Sequence, residues 1–148
     1  MNRWRKGKRG ELEVARLLYQ AHYGSPPNPD RDVFVRTKGG VRQKEGDLVT
    51  PADFPFFVEV KNRSISLPKL LTSEWLKMLS ETITKAKRKP ILFCFKCQRE
   101  WWVVTNAPID AQLFIVINQH EFAITTLKKF CEWWQQKERN KHEAQTRN

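Results

Sequence analysis

Residues 46–62 read GDLVTPADFPFFVEVKN, and this stretch decides the fold because it has the pattern of two short strands joined by a turn. Two prolines bracket Asp53 in the middle of the stretch, and such segments are typical of turns. If the turn is centred on Asp53, then Asp47 and Glu59 lie directly opposite each other. Cross-strand neighbours have Cβ atoms about 5 Å apart. The sequence therefore predicts a β-hairpin that holds two carboxylates side by side.

The second arm of this predicted hairpin adds a lysine to the two carboxylates. Side chains alternate along a strand, so Glu59 and Lys61 share one face. Carboxylates this close repel each other unless a cation joins them, and hard oxygen ligands favour an ion such as Mg²⁺. We therefore expect a magnesium site, which Mn²⁺ can also fill. Its expected ligands are Asp47, Glu59 and the backbone carbonyl of Val60, with Lys61 beside them.

The charge of the chain points to a polyanionic partner. Its 148 residues suit one domain with one sizeable core, and 27 Lys and Arg against 16 Asp and Glu give a formal net charge of +11. Nucleic acid is the favoured partner, although an anionic membrane surface would also attract such charge. No apolar run reaches the roughly 18 residues that a membrane span needs, and the N-terminus lacks the pattern of a secretory signal. We expect no membrane partner.

The three cysteines have no disulfide-framework spacing, which fits a reducing cytosol. Cys94 and Cys97 form a CxxC, but there is no second one, and the pair falls in an apolar, strand-like run. Positions three apart in a strand point to opposite faces. We therefore expect Cys94, Cys97 and Cys131 to be buried free thiols, with a zinc clip as the alternative.

Helical and strand patterns alternate along the rest of the chain. They predict an α/β fold in which a mixed central β-sheet is flanked by helices, and in which the helix that starts at Glu74 crosses over to bring the strand at 91–95 back into the sheet. Residues 1–136 are expected to form a single domain with a basic N-terminal arm at 1–10, and residues 137–148 a polar tail that frays. Residues 113–117 are ambiguous between strand and helix. The other predicted elements are a helix from Glu11 to about Tyr23, a strand at 33–35, a helix from Glu74 to about Arg88, strands at 91–95 and 101–105, and a final helix capped by Thr125 or Thr126.

Hydrolysis of a phosphodiester needs an activated water and a clamp for the developing negative charge, and divalent ions can supply both. Asp47 and Glu59 fit the task of metal ligands. Lys61 could orient or deprotonate the water or stabilise the transition state, and the sequence leaves these roles open. Glu11, which arrives from the first helix, could complete the site or bind a second ion. Glu13 is its rival and lies on another face of that helix.

Basic residues cluster in segments that we expect to contact a polyanion through its phosphates. One segment is the N-terminus and another is the glycine-containing loop that leads into Asp47, for which a solvated surface loop is the alternative. The candidate DNA-binding residues are Arg3, Arg5, Lys6, Lys8, Arg9, Arg36, Lys38, Arg42, Lys44 and Arg63.

Two further groups of residues have more than one interpretation. Residues 85–89 include four cations at the end of a predicted helix, which suits the helix dipole as well as a DNA backbone. Trp133 and Trp134 are adjacent on a helix and cannot both face one core. One of them could cover a dimer interface, stack on an exposed base, or be a partly exposed surface aromatic.

Gly46-Asp47 followed by Glu59-Val60-Lys61 resembles the D-x(n)-E-x-K signature of the PD-(D/E)xK nuclease superfamily. The order of the other segments, from Arg5-Lys6-Gly7 and Glu11 onward, is similar to that of archaeal-type Holliday junction resolvases over roughly residues 3–105. The resemblance implies a restriction-endonuclease-like fold in a homodimeric, magnesium-dependent endonuclease that resolves four-way DNA junctions by paired nicks. Carried over to this sequence, the catalytic set is Glu11, Asp47, Glu59 and Lys61, with Glu11 also a metal ligand.

The chain departs from that family in two places. The loop before Asp47 has no serine, only Thr37, and the segment after Asn106 has no match. Two rival functions therefore stay open: a nuclease of the same superfamily that cuts duplex or flapped DNA in repair or restriction, and a non-catalytic basic nucleic-acid-binding protein. A small basic nuclease of this type would suit a phage or a prokaryote, so we expect it in the cytoplasm of a prokaryotic or phage-infected cell.

Overall fold

A computed structural model describes residues 2–38, 46–111 and 113–146, and it confirms the α/β class. The element order in these residues is α1 (Arg3–Tyr23), β1 (Val35–Arg36), β2 (Leu48–Val49), β3 (Phe57–Ser64), a short 3-10 helix (Leu67–Leu71), α2 (Ser73–Ala86), β4 (Ile91–Cys97), β5 (Glu100–Thr105), β6 (Leu113–Ile117), β7 (His120–Thr126) and α3 (Leu127–Thr146).

The central sheet has five strands in the order β3-β4-β5-β7-β6. β3 and β4 run parallel because α2 crosses over between them, as the sequence predicts, and the other pairs are antiparallel. The ambiguous apolar run at 113–117 is the edge strand β6. β7 was not predicted as a strand, although the expected cap at its end is present: the Lys129 backbone N–H donates to Thr126 Oγ1 at 3.2 Å.

Both faces of this sheet are covered, which explains why β4 is almost entirely apolar. On one face, Val58 and Leu92 pack with buried residues of α1 and α3. On the other face, Phe57 and Phe93 pack with Trp75 of α2. β3 therefore lies at a sheet edge with helices above and below it.

The predicted hairpin over residues 46–62 is wrong. β2 pairs antiparallel with β1, with Arg36 opposite Leu48, and these two strands form a separate two-stranded sheet. The contact with β3 is made just before β2 begins, where Gly46 forms an isolated bridge to Val58 in parallel orientation.

The hairpin fails because its expected turn is part of the core. Phe54 and Phe56 are only 2% and 3% exposed, and both pack against Trp134 of α3. Burying two aromatic side chains favours a path through the core over a tight surface turn. Asp47 is therefore not the antiparallel cross-strand partner of Glu59.

The predicted start of the first helix is also wrong, because residues 3–10 belong to α1. Asn2 caps the helix, its Oδ1 accepting a hydrogen bond from the Arg5 backbone N–H at 2.9 Å. Asn62 Nδ2 of β3 donates to the carbonyl oxygen of Lys6 at 2.9 Å. The basic segment is therefore a helical extension held against β3.

At the other end of the described chain, α3 continues to Thr146, past the predicted end near Gln136. Its first turns bury Phe130 and Trp134, and the polar residues that follow are mostly strong helix formers. Cys94 and Cys97 are buried free thiols, as predicted, and Cys131 is a partly buried one. Within the residues that the structure describes, none of the helices has the length and apolar character to cross a bilayer.

Candidate active site

Asp47 is fixed to the free edge of β3 through its backbone and its side chain. Its backbone N–H donates to the carbonyl oxygen of Val58 at 2.9 Å, and its Oδ2 accepts from the Val60 N–H at 2.8 Å. The carboxylate therefore lies beside the peptide that joins Glu59 to Val60. Asp47 therefore lies along the edge of β3 beside the backbone of Glu59 and Val60, by a different route from the predicted hairpin.

Gly46 and Thr37 hold Asp47 in this place. Gly46 has a φ of 78°, and a Cβ there would sit 2.5 Å from the carbonyl oxygen of Val58. The buried Thr37 donates from Oγ1 to the Gly46 carbonyl oxygen at 2.7 Å and from its N–H to the Asp47 carbonyl oxygen at 3.1 Å. The sequence offered Thr37 only as a doubtful substitute for a serine, whereas the structure gives it a positioning role.

Glu59 and Lys61 project from the same face of β3, as the alternation of side chains predicts. Lys61 Nζ lies 3.4 Å from Glu59 Oε1. Glu59 is almost fully buried, whereas Lys61 keeps part of its side chain in solvent. The ammonium group can therefore reach a bound substrate while it remains next to the carboxylate.

Glu11 and its rival Glu13 have separate environments. Glu11 is buried and pairs with the guanidinium of Arg36. Glu13 Oε2 accepts from Trp101 Nε1 at 2.9 Å and lies 3.5 Å from Lys96 Nζ. Glu13 therefore ties α1 to β4 and β5, while Glu11 faces the basic side of the molecule.

α1 approaches β3 closely next to Glu11. A Cβ added to Gly10 would lie 2.7 Å from Asn62 Cβ, so helix and strand are in direct contact next to Glu11. The position of Asn62 could not be recognised from the sequence, because its hydrogen bond joins residues 56 positions apart.

Three carboxylates of the candidate site are buried, and each has a charged or hydrogen-bonding partner. Glu11, Asp47 and Glu59 are 5%, 7% and 9% exposed, and Arg36 and Lys61 pair with the first and the last. Burying a charge is costly unless it is paired or hydrogen-bonded. A buried acidic group of this size is therefore a candidate for chemistry.

The pKa of the Cys94 thiol is affected by two of these carboxylates. Burial raises the pKa of Cys94 well above its ordinary value, and the Cys131 thiol and the charges of Asp47 and Glu59 raise it further. Cys94 of β4 lies opposite Val60 of β3. The charges of Asp47 and Glu59 thus affect the pKa of a thiol on the neighbouring strand β4.

The oxygen donors that suit a magnesium-like ion are the carboxylates of Asp47 and Glu59 and the carbonyl of Val60. Glu11 is held by Arg36. In residues 2–38, 46–111 and 113–146, no three His, Cys, Asp or Glu side chains group closely enough to hold a metal ion. The donors that fit an ion are therefore the carboxylates of Asp47 and Glu59 and the carbonyl of Val60, while Glu11 is paired with Arg36.

A cleft of about 490 Å³ opens next to Glu11 and is dominated by cations. Trp4, Lys8 and Glu11 share one face of α1, since residues three and four apart are neighbours on a helix. Trp4 is 66% exposed, which is unusual for so large an apolar side chain. The cleft is lined by Arg3, Trp4, Gly7, Lys8, Glu11, Arg36, Thr37 and Lys38.

The predicted DNA-binding residues divide into three groups. Arg3, Lys8, Arg36 and Lys38 line the cleft, and Arg5, Lys6 and Arg9 are exposed on α1 beside it. Arg63 is engaged elsewhere: its Nη1 lies 2.9 Å from Glu74 Oε1, and its guanidinium is 5.2 Å from the ring centroid of Trp75. Arg42 and Lys44 lie outside the described residues.

A mixed sheet whose edge strand carries Glu59-Val60-Lys61, with an aspartate fixed beside it and a glutamate delivered by the first helix, defines a nuclease domain of the PD-(D/E)xK class. The chain matches the family described as "Phage putative PDDEXK endonuclease" over residues 2–130. Because the match covers most of the chain, the protein belongs to this phage endonuclease family. No curated protein matches it, and no solved structure does. The superfamily prediction is confirmed, and the narrower resemblance to Holliday junction resolvases stays a prediction.

Proposed function

We propose that this protein is a metal-dependent endonuclease that acts on branched DNA and resolves four-way junctions by paired nicks. The observation that supports the proposal best is the joint placement of Asp47, Glu59 and Lys61 at the edge of β3. Next to them, Glu11 forms part of the wall of a basic cleft. Acids at the edge supply the chemistry, and the cations of the cleft hold a polyanion.

Mg²⁺ or Mn²⁺ at Asp47, Glu59 and the Val60 carbonyl would supply a Lewis acid and lower the pKa of a bound water. Lys61 is an ammonium with three donors and no acceptor. From its place beside Glu59 it can donate to the attacked phosphate or to the incoming water, which makes it a positioning and charge-stabilising group. A hydrogen bond from the Val60 N–H to Asp47 Oδ2 favours this position of the carboxylate.

Arg36 couples the cleft to Glu11. It donates through Nε to the Glu11 carboxylate, and a guanidinium can bind a phosphate through its terminal nitrogens at the same time. A phosphate that binds Arg36 would weaken the ion pair between Arg36 and Glu11. DNA binding would in this way free an acid for the site, and Glu11 would then join Asp47 and Glu59.

Trp4 favours DNA with a branch over uninterrupted duplex. Its exposed indole stands in the cleft among cations, two turns from Glu11 on the same face of α1. A base that has lost its stacking partner can stack on such a ring, which contributes about 1–3 kcal/mol. Bases of this kind occur at branch points. Opposed nicks in a four-way junction need two equivalent sites, so a homodimer is part of the proposal.

The test compares a four-way junction, a flap and a linear duplex of matched sequence, with Mg²⁺ and then with a chelator. We expect paired nicks in the junction, little cutting of the duplex, and no cutting after chelation. Equal cutting of all three substrates would sink the junction proposal in favour of a general nuclease. Binding without cutting of any substrate would indicate the non-catalytic alternative.

The site itself is tested by Asp47→Asn, which keeps the shape and removes the charge. Cleavage should fall by at least about 100-fold, as expected for loss of a metal ligand, while junction binding stays within about twofold of wild type. Asp53→Asn is the matched control, since Asp53 is an exposed acid that contacts His22 at 3.0 Å, away from β3's edge. Retained cleavage in Asp47→Asn would reject the site assignment.

A further inference from the structure

A second basic cleft lies on another part of the molecule and shares no lining residue with the cleft at Glu11. Its volume is about 390 Å³, and it is bounded by the end of α2, the start of β4, the end of β5 and the outer face of α3. The lining residues that matter here are Lys87, Arg88, Lys89, Asn106, Trp133 and Lys137.

No described residue neutralises the four cations of this second cleft. All are exposed, no acidic residue lines the cleft, and none of the four forms an ion pair with any described residue. The dipole of α2 accounts for cations just after its C-terminus. It does not account for Lys137, which α3 brings to the same place. The cleft is therefore an anion-binding surface assembled from two distant segments.

One wall of the second cleft is aromatic. Trp134 turns inward, where it is buried and donates from Nε1 to His22 Nδ1 at 3.0 Å. Trp133 turns to the cleft, packs against Phe130 with ring centroids 5.9 Å apart, and has Lys137 Nζ 5.1 Å from its ring centroid. The adjacent tryptophans thus divide between core and cleft. An aromatic face among cations is the combination that binds single-stranded nucleic acid.

Lys87 occupies a backbone conformation that suits glycine. It ends α2 with φ 58° and ψ −109°, and its N–H donates to the Thr84 carbonyl oxygen at 3.3 Å. A side chain at such angles is strained, and strain of this kind concentrates at functional positions. A lysine in this strained conformation is therefore a candidate for a functional role. Its neighbours are also cations, so the role that they indicate is binding of an anion.

We propose that this second cleft binds a single-stranded segment of DNA, with phosphates on Lys87, Arg88, Lys89 and Lys137 and a base against Trp133. A concave cleft of this size takes a nucleotide more readily than a duplex. Phe56 at its floor is three residues before Glu59, about 10 Å along an extended chain. The inference deepens the proposed function and rests on DNA being the substrate, because it assigns a site for an unpaired strand near the cut.

The first test measures binding by fluorescence anisotropy in a chelator, so that no cleavage occurs. The probes are a labelled single-stranded oligonucleotide and a duplex of the same length. For the double variant Lys89→Ala/Lys137→Ala we expect single-strand affinity to fall at least about tenfold. The slope of log affinity against log salt should become shallower by about 1.4, or 0.7 for each of two lost phosphate contacts. Duplex affinity should change about twofold or less.

The matched control removes the same amount of charge outside the second cleft. Lys128→Ala/Lys129→Ala takes two exposed lysines of α3 that do not line the second cleft, and its salt slope should equal that of wild type. If both double variants lose affinity alike, general charge and not the cleft explains the binding. If the cleft variant loses affinity for duplex and single strand equally, the single-strand assignment is overturned. The same holds if it loses affinity for anionic phospholipid vesicles but keeps its affinity for DNA.

The second test uses the strain at Lys87. Lys87→Gly should raise the melting temperature by roughly 3 °C or more, since glycine relieves a strained position, and should still weaken single-strand binding severalfold. Lys87→Ala should weaken binding to the same extent without a gain in stability. A Lys87→Gly variant that is more stable and binds as wild type would overturn the role of Lys87.

Failure of this inference can be told from failure of the proposed function. A wild-type protein that neither binds nor cuts branched DNA contradicts the proposed function. A wild-type protein that cuts branched DNA, together with cleft variants that bind single strands normally, contradicts the second cleft alone.

Discussion

Gly46 controls where Asp47 sits. Its positive φ and its missing Cβ allow the chain to come within hydrogen-bonding distance of the Val58 carbonyl, and the next residue then reaches Val60 with its side chain. The acid is therefore placed by a backbone contact that only glycine permits.

We predict that Gly46→Ala abolishes cleavage, because a Cβ 2.5 Å from the Val58 oxygen must push the segment away from β3. Gly24→Ala is the matched control: Gly24 also has a positive φ, 73°, but a Cβ there would meet nothing within 4 Å. Both variants should lose about 1–3 kcal/mol of unfolding free energy from backbone strain. Cleavage assays and denaturant unfolding check this, and equal activity of the two variants would contradict the placement of Asp47.

We predict opposite effects from two glycines of α1. Gly10→Ala puts a Cβ 2.7 Å from Asn62 Cβ, so it should destabilise the protein by about 1–3 kcal/mol and shift Glu11. Gly7→Ala meets nothing within 4 Å and should stabilise the helix by up to about 1 kcal/mol. Urea unfolding of both variants is the measurement. Stabilisation by Gly10→Ala would show that helix and strand are not in close contact there.

The sequence was sufficient to identify the candidate acids, but not to identify the residues that hold them in position. Asp47, Glu59 and Lys61 could be found because their spacing fits an alternating strand and a known signature. Thr37 and Asn62 act through hydrogen bonds to residues distant in sequence, and no local pattern marks such contacts.

At the scale of elements, helices and crossover were predictable and the central turn was not. The Pro51–Pro55 segment has the composition of a surface turn, so local rules favoured a hairpin. The aromatic side chains within and just after this segment could have signalled burial, because Phe54 and Phe56 gain more from the core than the turn gains from its prolines. Tertiary packing overrode local preference, as it did at the basic segment that became the start of α1.

The packing of α3 on α1 makes stability sensitive to alkaline pH. Burial, and secondarily the charge of Glu132, raises the pKa of Cys131 from 9.0 to about 12, and its Sγ lies 3.9 Å from the Leu17 carbonyl oxygen. The folded protein keeps this thiol protonated while the unfolded chain ionises it. The stabilising contribution is therefore complete below pH 9 and is lost as the pH rises toward 12.

We predict that wild-type unfolding free energy falls more steeply between pH 9 and pH 11 than that of Cys131→Ala. The difference in slope should be at most about 1.4 kcal/mol per pH unit, the value for one group. Denaturant unfolding at several pH values measures this difference. The unfolding free energy of each protein is compared with its own value at pH 7, so that the packing lost in Cys131→Ala does not enter the comparison. Parallel curves would show that the thiol titrates alike in the folded and unfolded chains.

For the whole molecule, the proposed dimer must overcome a formal charge of +11 on each copy. The edge strand β6 carries no charge, and Leu113, Phe114 and Val116 are 39%, 48% and 70% exposed. An open apolar edge can pair with another chain, and antiparallel pairing with its own copy gives a closed two-fold interface. Pairing through this uncharged strand would bring no further positive charge into the interface from β6 itself.

We predict that wild type is a dimer at micromolar concentration and that Val116→Lys shifts it toward monomer, because a charge on an edge strand opposes pairing. Leu71→Lys is the control, since Leu71 is an exposed apolar residue of the 3-10 helix outside β6. Size-exclusion chromatography with light scattering measures the masses. A monomeric wild type would reject the homodimer, and a dimeric Val116→Lys would place the interface elsewhere.

Thr37 has a wider consequence. Its two hydrogen bonds, to Gly46 and Asp47, join the chain on either side of residues 38–45 like a clasp. Because both bonds are made by residues that flank this segment, we expect a change of sequence within it to leave these two bonds in place. Residues 38–45 include three of the predicted DNA-binding residues, Lys38, Arg42 and Lys44. Exchanging this segment is therefore a way to test the choice of substrate separately from cleavage.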